Sequence, residues 1–174
     1  MKVNILLSTY NGEQYLEEQV KSIQEQTYQE WELLIRDDGS SDGTVELIKQ
    51  LATRDSRIRF INENHVENVG VIKSFHALLK YSKADLYCFS DQDDFWLPEK
   101  ISLQVTEAKK YSQDKPLLIY TDLKVVDENL SVLHDSMIRT QSDHANTELI
   151  QELTENTVTG GVAMINHALA ELWT

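Results

Sequence analysis

The stretch Trp31-Glu32-Leu33-Leu34-Ile35-Arg36-Asp37-Asp38-Gly39-Ser40-Ser41-Asp42-Gly43-Thr44 decides the fold. Trp31 to Arg36 is short and mostly apolar, as a buried strand is. Asp37 to Gly43 is a tight polar loop, and Ser40 to Asp42 offer N-caps for a helix carrying Val45, Ile48 and Leu51 on one face. A strand feeding a helix through a loop of turn and cap residues is the repeating unit of an α/β sheet.

Outward from it the unit recurs. Val3 to Ser8 reads as a strand, broken by Asn11-Gly12, before a helix from about Glu13 to Thr27 with Leu16, Val20 and Ile23 inward. Ile58 to Ile61 is a third strand, and Gly70 precedes a helix with Val71, Phe75, Leu78 and Leu79 inward. Leu86 to Ser90 is a fourth strand. Pro98 suits the first turn of the next helix, which turns Ile101, Val105 and Ala108 inward. Leu117 to Tyr120 is a fifth strand. This alternation predicts a mostly parallel central sheet with helices on both faces.

After Tyr120 the rhythm changes. Leu123 to Val126 and Ser131 to His134 read as two short strands around a turn, followed by a helix near Thr147 to Leu153. Thr157 to Thr159, Gly160-Gly161, a strand Val162 to Ile165 and a helix His167 to Trp173 close the chain. Two parts are expected: residues 1–120 as a ligand-binding α/β subdomain and residues 121–174 as the start of a second, incomplete one. An end on an apolar helical pattern reads as cut, with apolar surface near Leu169, Leu172 and Trp173 left exposed and favouring self-association.

Composition narrows the function. The 174 residues carry a formal net charge of −13, which repels phosphate backbones and argues against nucleic-acid binding. A divalent cation can still reverse the sign of an acidic pocket for a phosphorylated ligand. The single cysteine, Cys88, cannot form an internal disulfide and fits a reduced, cytoplasmic setting. No apolar run approaches the roughly 18 residues of a membrane span, so any membrane association, such as a peripheral place at the inner face, is expected to come from a missing segment or a partner.

Ligands on parallel sheets bind beyond the carboxyl ends of the strands. After the first strand, Tyr10 beside the Thr9 to Gly12 turn can pack on the fold or stack on a flat base. After the second, Asp37 and Asp38 can belong to a capped loop, or one carboxylate can accept the imide N–H of uracil or thymine. After the fourth comes Ser90-Asp91-Gln92-Asp93-Asp94-Phe95-Trp96-Leu97-Pro98, with three carboxylates in four residues. These form a solvated helix cap or bind Mg²⁺ or Mn²⁺, hard cations that take carboxylate oxygens. The apolar Phe95-Trp96-Leu97 directly after them favours the cation. In an extended segment Asp91 and Asp93 would project the same way. His65, His76, His134, His144 and His167 are scattered without metal-ligand spacing.

In order and spacing, residues 3 to about 100 resemble the family 2 glycosyltransferases, whose nucleotide-binding fold is called GT-A. The resemblance rests on Val3 to Gly12, Trp31 to Thr44, Asn68-Val69-Gly70 and Ser90 to Asp94. The form Ser-Asp-Gln-Asp-Asp-Phe-Trp is similar to a bacterial rhamnosyltransferase-like branch. The resemblance implies metal-dependent, inverting transfer of a sugar from a UDP- or dTDP-sugar to a saccharide or lipid-linked acceptor in cell-surface polysaccharide synthesis. It implies a nucleotide site of Thr9, Tyr10, Asn11, Asp37, Asp38 and Asp91, with Asp38 the leading imide acceptor. It implies metal ligands among Asp91, Asp93 and Asp94, and a sugar and acceptor border at Thr159, Gly160 and Gly161.

Two departures matter. Many relatives carry Arg-Asn early in the helix after the Asn-Val-Gly motif, where this chain has Phe75-His76, with Lys73 as a substitute positive group. The family's catalytic base lies in an acidic motif expected beyond Thr174, so none is named. This chain alone is expected to bind nucleotide and transfer little sugar, Asp122 and Asp143 being the first candidates should it prove active. The alternative is a non-catalytic nucleotide-sugar-binding module. A phospho-acceptor receiver would need an acidic pair after the first strand, and a nucleotidyltransferase a Gly-rich basic loop; both are absent.

Overall fold

A computed structural model describes residues 1–141, 145–148 and 158–174. Strands β1 (Val3–Thr9), β2 (Trp31–Asp37), β3 (Ile58–Phe60), β4 (Leu86–Ser90), β5 (Leu118–Tyr120) and β8 (Ala163–Asn166) form one sheet in the order β3-β2-β1-β4-β8-β5. β6 (Val125–Val126) and β7 (Val132–His134) form a separate antiparallel hairpin. Helices α1 (Leu16–Gln24), α2 (Thr44–Arg54), α3 (Val71–Tyr81), α4 (Lys100–Ala108), α5 (Ile138–Gln141) and α6 (His167–Trp173) are described alongside them.

β1 to β4 pair in parallel. β8 then enters antiparallel between β4 and β5. The strand after α4 therefore does not lie beside β4, as continued alternation would put it. The chain returns from the far side of the β6–β7 hairpin to fill that place, so residues 163–166 share a sheet with residues 3–120.

Strand side chains alternate between two cores, as the pleat requires. Ile5, Leu7, Leu33, Ile35 and Cys88 face Leu16, Val20 and Ile23 of α1, Ile48 and Leu51 of α2, and Ile101, Val105 and Ala108 of α4. Leu6, Leu34, Tyr87, Phe89 and Ile165 face Leu78 and Leu79 of α3 and Ala170 of α6. Helices thus cover both faces, and each fully buried aliphatic side chain contributes roughly 1.5–3 kcal/mol.

Several boundaries shift. α1 starts at Leu16 because residues 12–15 form a turn, and α4 starts two residues past Pro98. Asp42 caps from outside its helix: its carboxylate accepts from Thr44 N at 3.1 Å, while Gly43 holds the N-cap position. Val71, expected inward, is 61% exposed because it opens α3 at the rim of the sheet. Leu172 and Trp173 are exposed, as anticipated, beside a groove lined by Phe89, Leu118, Ile165 and Leu169. The helix expected over Thr147 to Leu153 falls largely outside the described residues, as do Asp143, His144 and Thr157. Among the described residues no helix is long and apolar enough to cross a membrane.

Candidate functional site

The carboxyl ends of β1, β2 and β4 are adjacent because β1 lies between the other two. Three loops therefore meet: residues 10–15, 38–43 and 91–99. The first two are zipped together. Asn11, in the left-handed region at φ 48°, accepts from Ser41 N at 2.9 Å through its side chain and donates its N–H to Ser40 Oγ at 2.8 Å. Gly12 N donates to Thr44 Oγ1 at 2.8 Å, and Glu13 accepts from Gly43 N at 2.9 Å.

Asp37 and Asp38 are both buried, and their carboxylates hold loops. Asp37 accepts from Thr9 Oγ1 at 2.9 Å, Gly39 N at 3.1 Å, Ser40 N at 2.8 Å and Ser40 Oγ at 2.6 Å. Asp38 Oδ1 accepts from Arg36 Nη1 at 2.9 Å, Val69 N at 2.7 Å and Ser74 Oγ at 3.0 Å. Asp38 Oδ2 accepts from Gly70 N at 3.1 Å. Burial by itself would raise the Asp38 pKa. The donors from Val69, Ser74, Arg36 and Gly70 outweigh it and hold the carboxyl below its ordinary value. Oδ2, with one donor, keeps a lone pair for another. Thr9 is fully buried, whereas Tyr10 is 54% exposed and presents its ring at the mouth. Beyond Arg36 and Val69 an open cavity of about 480 Å³ is bordered by Asn62, His65, Glu67 and Lys73.

The acidic run after β4 is not extended. Residues 92 and 93 form a turn, so the alternation that would pair Asp91 with Asp93 does not apply. The turn brings Asp91 and Asp94 together at Gly161, with Asp94 half-buried and Asp91 and Asp93 exposed. A Cβ at Gly161 would lie 3.1 Å from Asp91 Oδ2 and would overlap Asp94 Oδ2. Glycine is therefore needed there for both carboxylates to close over the backbone. Desolvation, then the charge of Asp93, raises the Asp91 pKa, against the N–H of Gly161. Desolvation, then the charges of Asp91 and Asp93, pushes Asp94 up to about 6, although Lys100 and the Asp91 N–H act the other way. Thr159 Oγ1 is buried without a hydrogen-bond partner among the described residues, and Gly160 is exposed beside it.

Among the described residues no three His, Cys, Asp or Glu side chains converge as a preformed metal cage. An exposed and a half-buried carboxylate that repel each other, with no ion pair among the described residues and only the more distant charge of Lys100 acting on Asp94, nonetheless suit a hard divalent cation whose remaining ligands come from a diphosphate and water. On this test the Asp91–Asp94 pair fits Mg²⁺ or Mn²⁺.

Some contributors were not anticipated. Arg36 is buried against Asp38 and donates to Ser74 Oγ at 2.8 Å. Its place two residues before Asp38, on the same side of an extended segment, was the available signal. Gln19 ties down the loop after β4. With its amide oriented to satisfy every neighbour, it donates to Ser22 Oγ and Asp94 O and accepts from Ser90 Oγ and Trp96 Nε1. Lys100 sits 4.8 Å above the Trp96 ring, its pKa lowered by burial. Gln92 bonds to Tyr10. Asp122 is committed to its own loop, accepting from Leu123 N at 2.8 Å and Ile138 N at 3.1 Å as well as from Ser136 Oγ.

Residues 4–170 match the family model described as "Glycosyl transferase family 2". The chain belongs to glycosyltransferase family 2. It is 31% identical over 127 residues to an Escherichia coli UDP-Glc:alpha-D-GlcNAc-diphosphoundecaprenol beta-1,3-glucosyltransferase, covering 73% of this chain and 47% of that protein. It is 38% identical over 98 residues to a Shigella flexneri dTDP-rhamnosyl transferase, covering 55% of this chain and 34% of that one. The chain thus spans less than half the length of these curated family members. Among solved structures, S. aureus TarS 1–349 superposes with a TM-score of 0.70 at 20% identity, covering 98% of this chain and 48% of that one. A mannosyltransferase from Pyrobaculum calidifontis, solved with GDP-Man and Mn²⁺, gives 0.55 at 22% identity over 60% of this chain and 31% of that one. These likenesses show the GT-A fold.

Proposed function

We propose that this chain holds the diphosphate of a UDP- or dTDP-sugar through a divalent cation on Asp91 and Asp94, with Asp93 adding charge at the rim. The observation carrying this reading is the Asp91–Asp94 pair closed over Gly161, its mutual repulsion left in place by the lack of an ion pair among the described residues. Tyr10 offers a face for the base, and the open lone pair of Asp38 Oδ2 accepts the pyrimidine imide. Asn11 and Asp37 fix the loops that carry them. Thr159, Gly160 and Gly161 border the sugar. Bound there, Mg²⁺ or Mn²⁺ would offset charge on the leaving nucleoside diphosphate.

In the whole enzyme an acceptor hydroxyl would attack the anomeric carbon from the side opposite the nucleotide, inverting it, while a carboxylate base takes the hydroxyl proton. No base is assigned among the described residues. The lipid-diphosphate acceptor in the name of the E. coli relative supports a saccharide or lipid-linked acceptor. Work at the cytoplasmic face of a membrane in surface-polysaccharide synthesis is part of the same proposal. Leu172 and Trp173 offer a surface for self-association.

The test is calorimetric titration of the chain with UDP and with dTDP, in Mn²⁺ and in excess chelator. Binding that is at least about tenfold tighter with Mn²⁺ is expected, from the loss of a charge-assisted contact. Equal affinity under both conditions would remove the metal from the reading.

A further inference from the structure

Gln92 lies between Asp91 and Asp93, and its side chain points away from the acidic pair toward the base-stacking loop. Tyr10 N donates to Gln92 Oε1 at 2.9 Å, and Gln92 Nε2 donates to Tyr10 O at 3.1 Å. A primary amide presents donor and acceptor side by side, as a neighbouring strand does. The last main-chain register pair between β1 and β4 is Leu7↔Ser90. The Gln92 amide extends that pairing to Tyr10, past the end of the strand. Gly12 makes room for it: a Cβ there would overlap Gln92 Oε1.

Among the described residues one other side chain repeats the arrangement and serves as an internal control. Asp37 N donates to Asn62 Oδ1 at 3.0 Å, and Asn62 Nδ2 donates to Asp37 O at 2.8 Å. Asn62 has no acidic run around it. Its clamp ties the Asp37 backbone, on the β2 side of the site, to the segment after β3 and touches neither the 91–94 turn nor Tyr10, whereas the Gln92 clamp joins the turn that carries the metal pair to the residue that carries the exposed ring.

Resting on the function proposed above, we infer that Gln92 is a positioning residue that couples metal binding to recognition of the base. A cation that fixes the 91–94 turn fixes the Gln92 amide. The amide in turn fixes the Tyr10 backbone, so that the ring is already placed when the base arrives. The coupling is reciprocal: a base stacked on Tyr10 orders the turn and favours the cation by the same factor.

The test uses nucleosides, because uridine and thymidine carry no phosphate for a metal to touch. An effect of Mn²⁺ on their affinity therefore does not pass through a phosphate, and the part that Gln92→Ala removes travels through the amide. Equilibrium dialysis of labelled uridine and thymidine against the 174-residue chain should show about three- to tenfold tighter binding in saturating Mn²⁺, the scale of one neutral hydrogen bond. In Gln92→Ala the affinity should be the same with and without Mn²⁺, while Mn²⁺ binding, read from the electron paramagnetic resonance of the free ion, persists. Gly12→Ala displaces the amide without altering residue 92 and should give the same loss if Gln92→Ala folds poorly. Asn62→Ala should keep the full enhancement. An undiminished enhancement in both Gln92→Ala and Gly12→Ala would overturn the coupling. So would no enhancement in a wild-type chain that binds both Mn²⁺ and UDP. A wild-type chain that binds neither would remove the proposed function and the coupling together.

Discussion

Asp37–Asp38 at the end of β2 and Asp91–Asp94 at the end of β4 flank the same strand, yet the chain treats the two pairs in opposite ways. The first pair is buried and surrounded by eight donor contacts from backbone N–H groups, hydroxyls and Arg36. The second is partly desolvated, repels itself and lacks an ion-pair partner among the described residues. Identical side chains on one sheet edge therefore do different work. A carboxylate ringed by donors holds the scaffold, Asp38 Oδ2 alone keeping a free lone pair, and one without them stores repulsion that a bound cation would relieve.

Removing one member from each pair should separate the two roles. Asp38→Ala leaves the Arg36 guanidinium buried without its counter-charge and orphans the N–H groups of Val69 and Gly70. It should destabilise the fold by about 3–5 kcal/mol, the usual cost of breaking a buried ion pair, as read in urea melts. In whatever folded population remains, UDP binding should weaken while Mn²⁺ binding is kept. A loss under 1 kcal/mol would show that the pairing around Asp38 is dispensable.

Asp94→Asn should have the opposite sign. It removes like-charge repulsion and should stabilise the metal-free chain by about 1 kcal/mol, or roughly 2–4 °C in Tm for a domain of this size. The same variant should lose the Mn²⁺ dependence of UDP binding. Destabilisation of the metal-free protein would mean that Asp94 is paired in solution.

Acidity should sharpen the contrast further. Asp94 titrates near 6 in the fold, above its ordinary value of 3.8, so its ionisation costs stability as pH rises through about 6. The Tm advantage of Asp94→Asn should be full above pH 7 and close to nothing below pH 4. Asp38 runs the other way: its contribution is present above its ordinary 3.8 and is lost as pH falls through its depressed value. A Tm advantage that does not change with pH would break the assignment.

Much of this was legible in the sequence. Apolar runs marked β1, β2 and β4, the inward faces of α1, α2 and α4 followed helical spacing, and the acidic loops fell at the strand ends. What spacing could not give was which carboxylates meet. Setting Asp91 and Asp93 side by side assumed extended backbone, whereas a turn at residues 92 and 93 keeps the charge of Asp93 acting on Asp91 and also brings Asp94 up to it at Gly161. Gly161 was expected only at the sugar and acceptor border, and its contact with Asp91 and Asp94 was hidden, since it arises through the antiparallel entry of β8 between β4 and β5. Non-local pairing of that kind leaves no local signal. Arg36 could have been found, because residues two apart in an extended segment share a side.

The position of β8 also sets the order in which this site can come into being. During synthesis the first four strands leave the ribosome well before residues 160–166. Until those residues emerge, β4 is an open sheet edge, and the loop after it lacks the Gly161 N–H that steadies Asp91. A nascent chain of this protein can therefore build its nucleotide-side scaffold early, while its cation-binding corner waits for the last strand to insert.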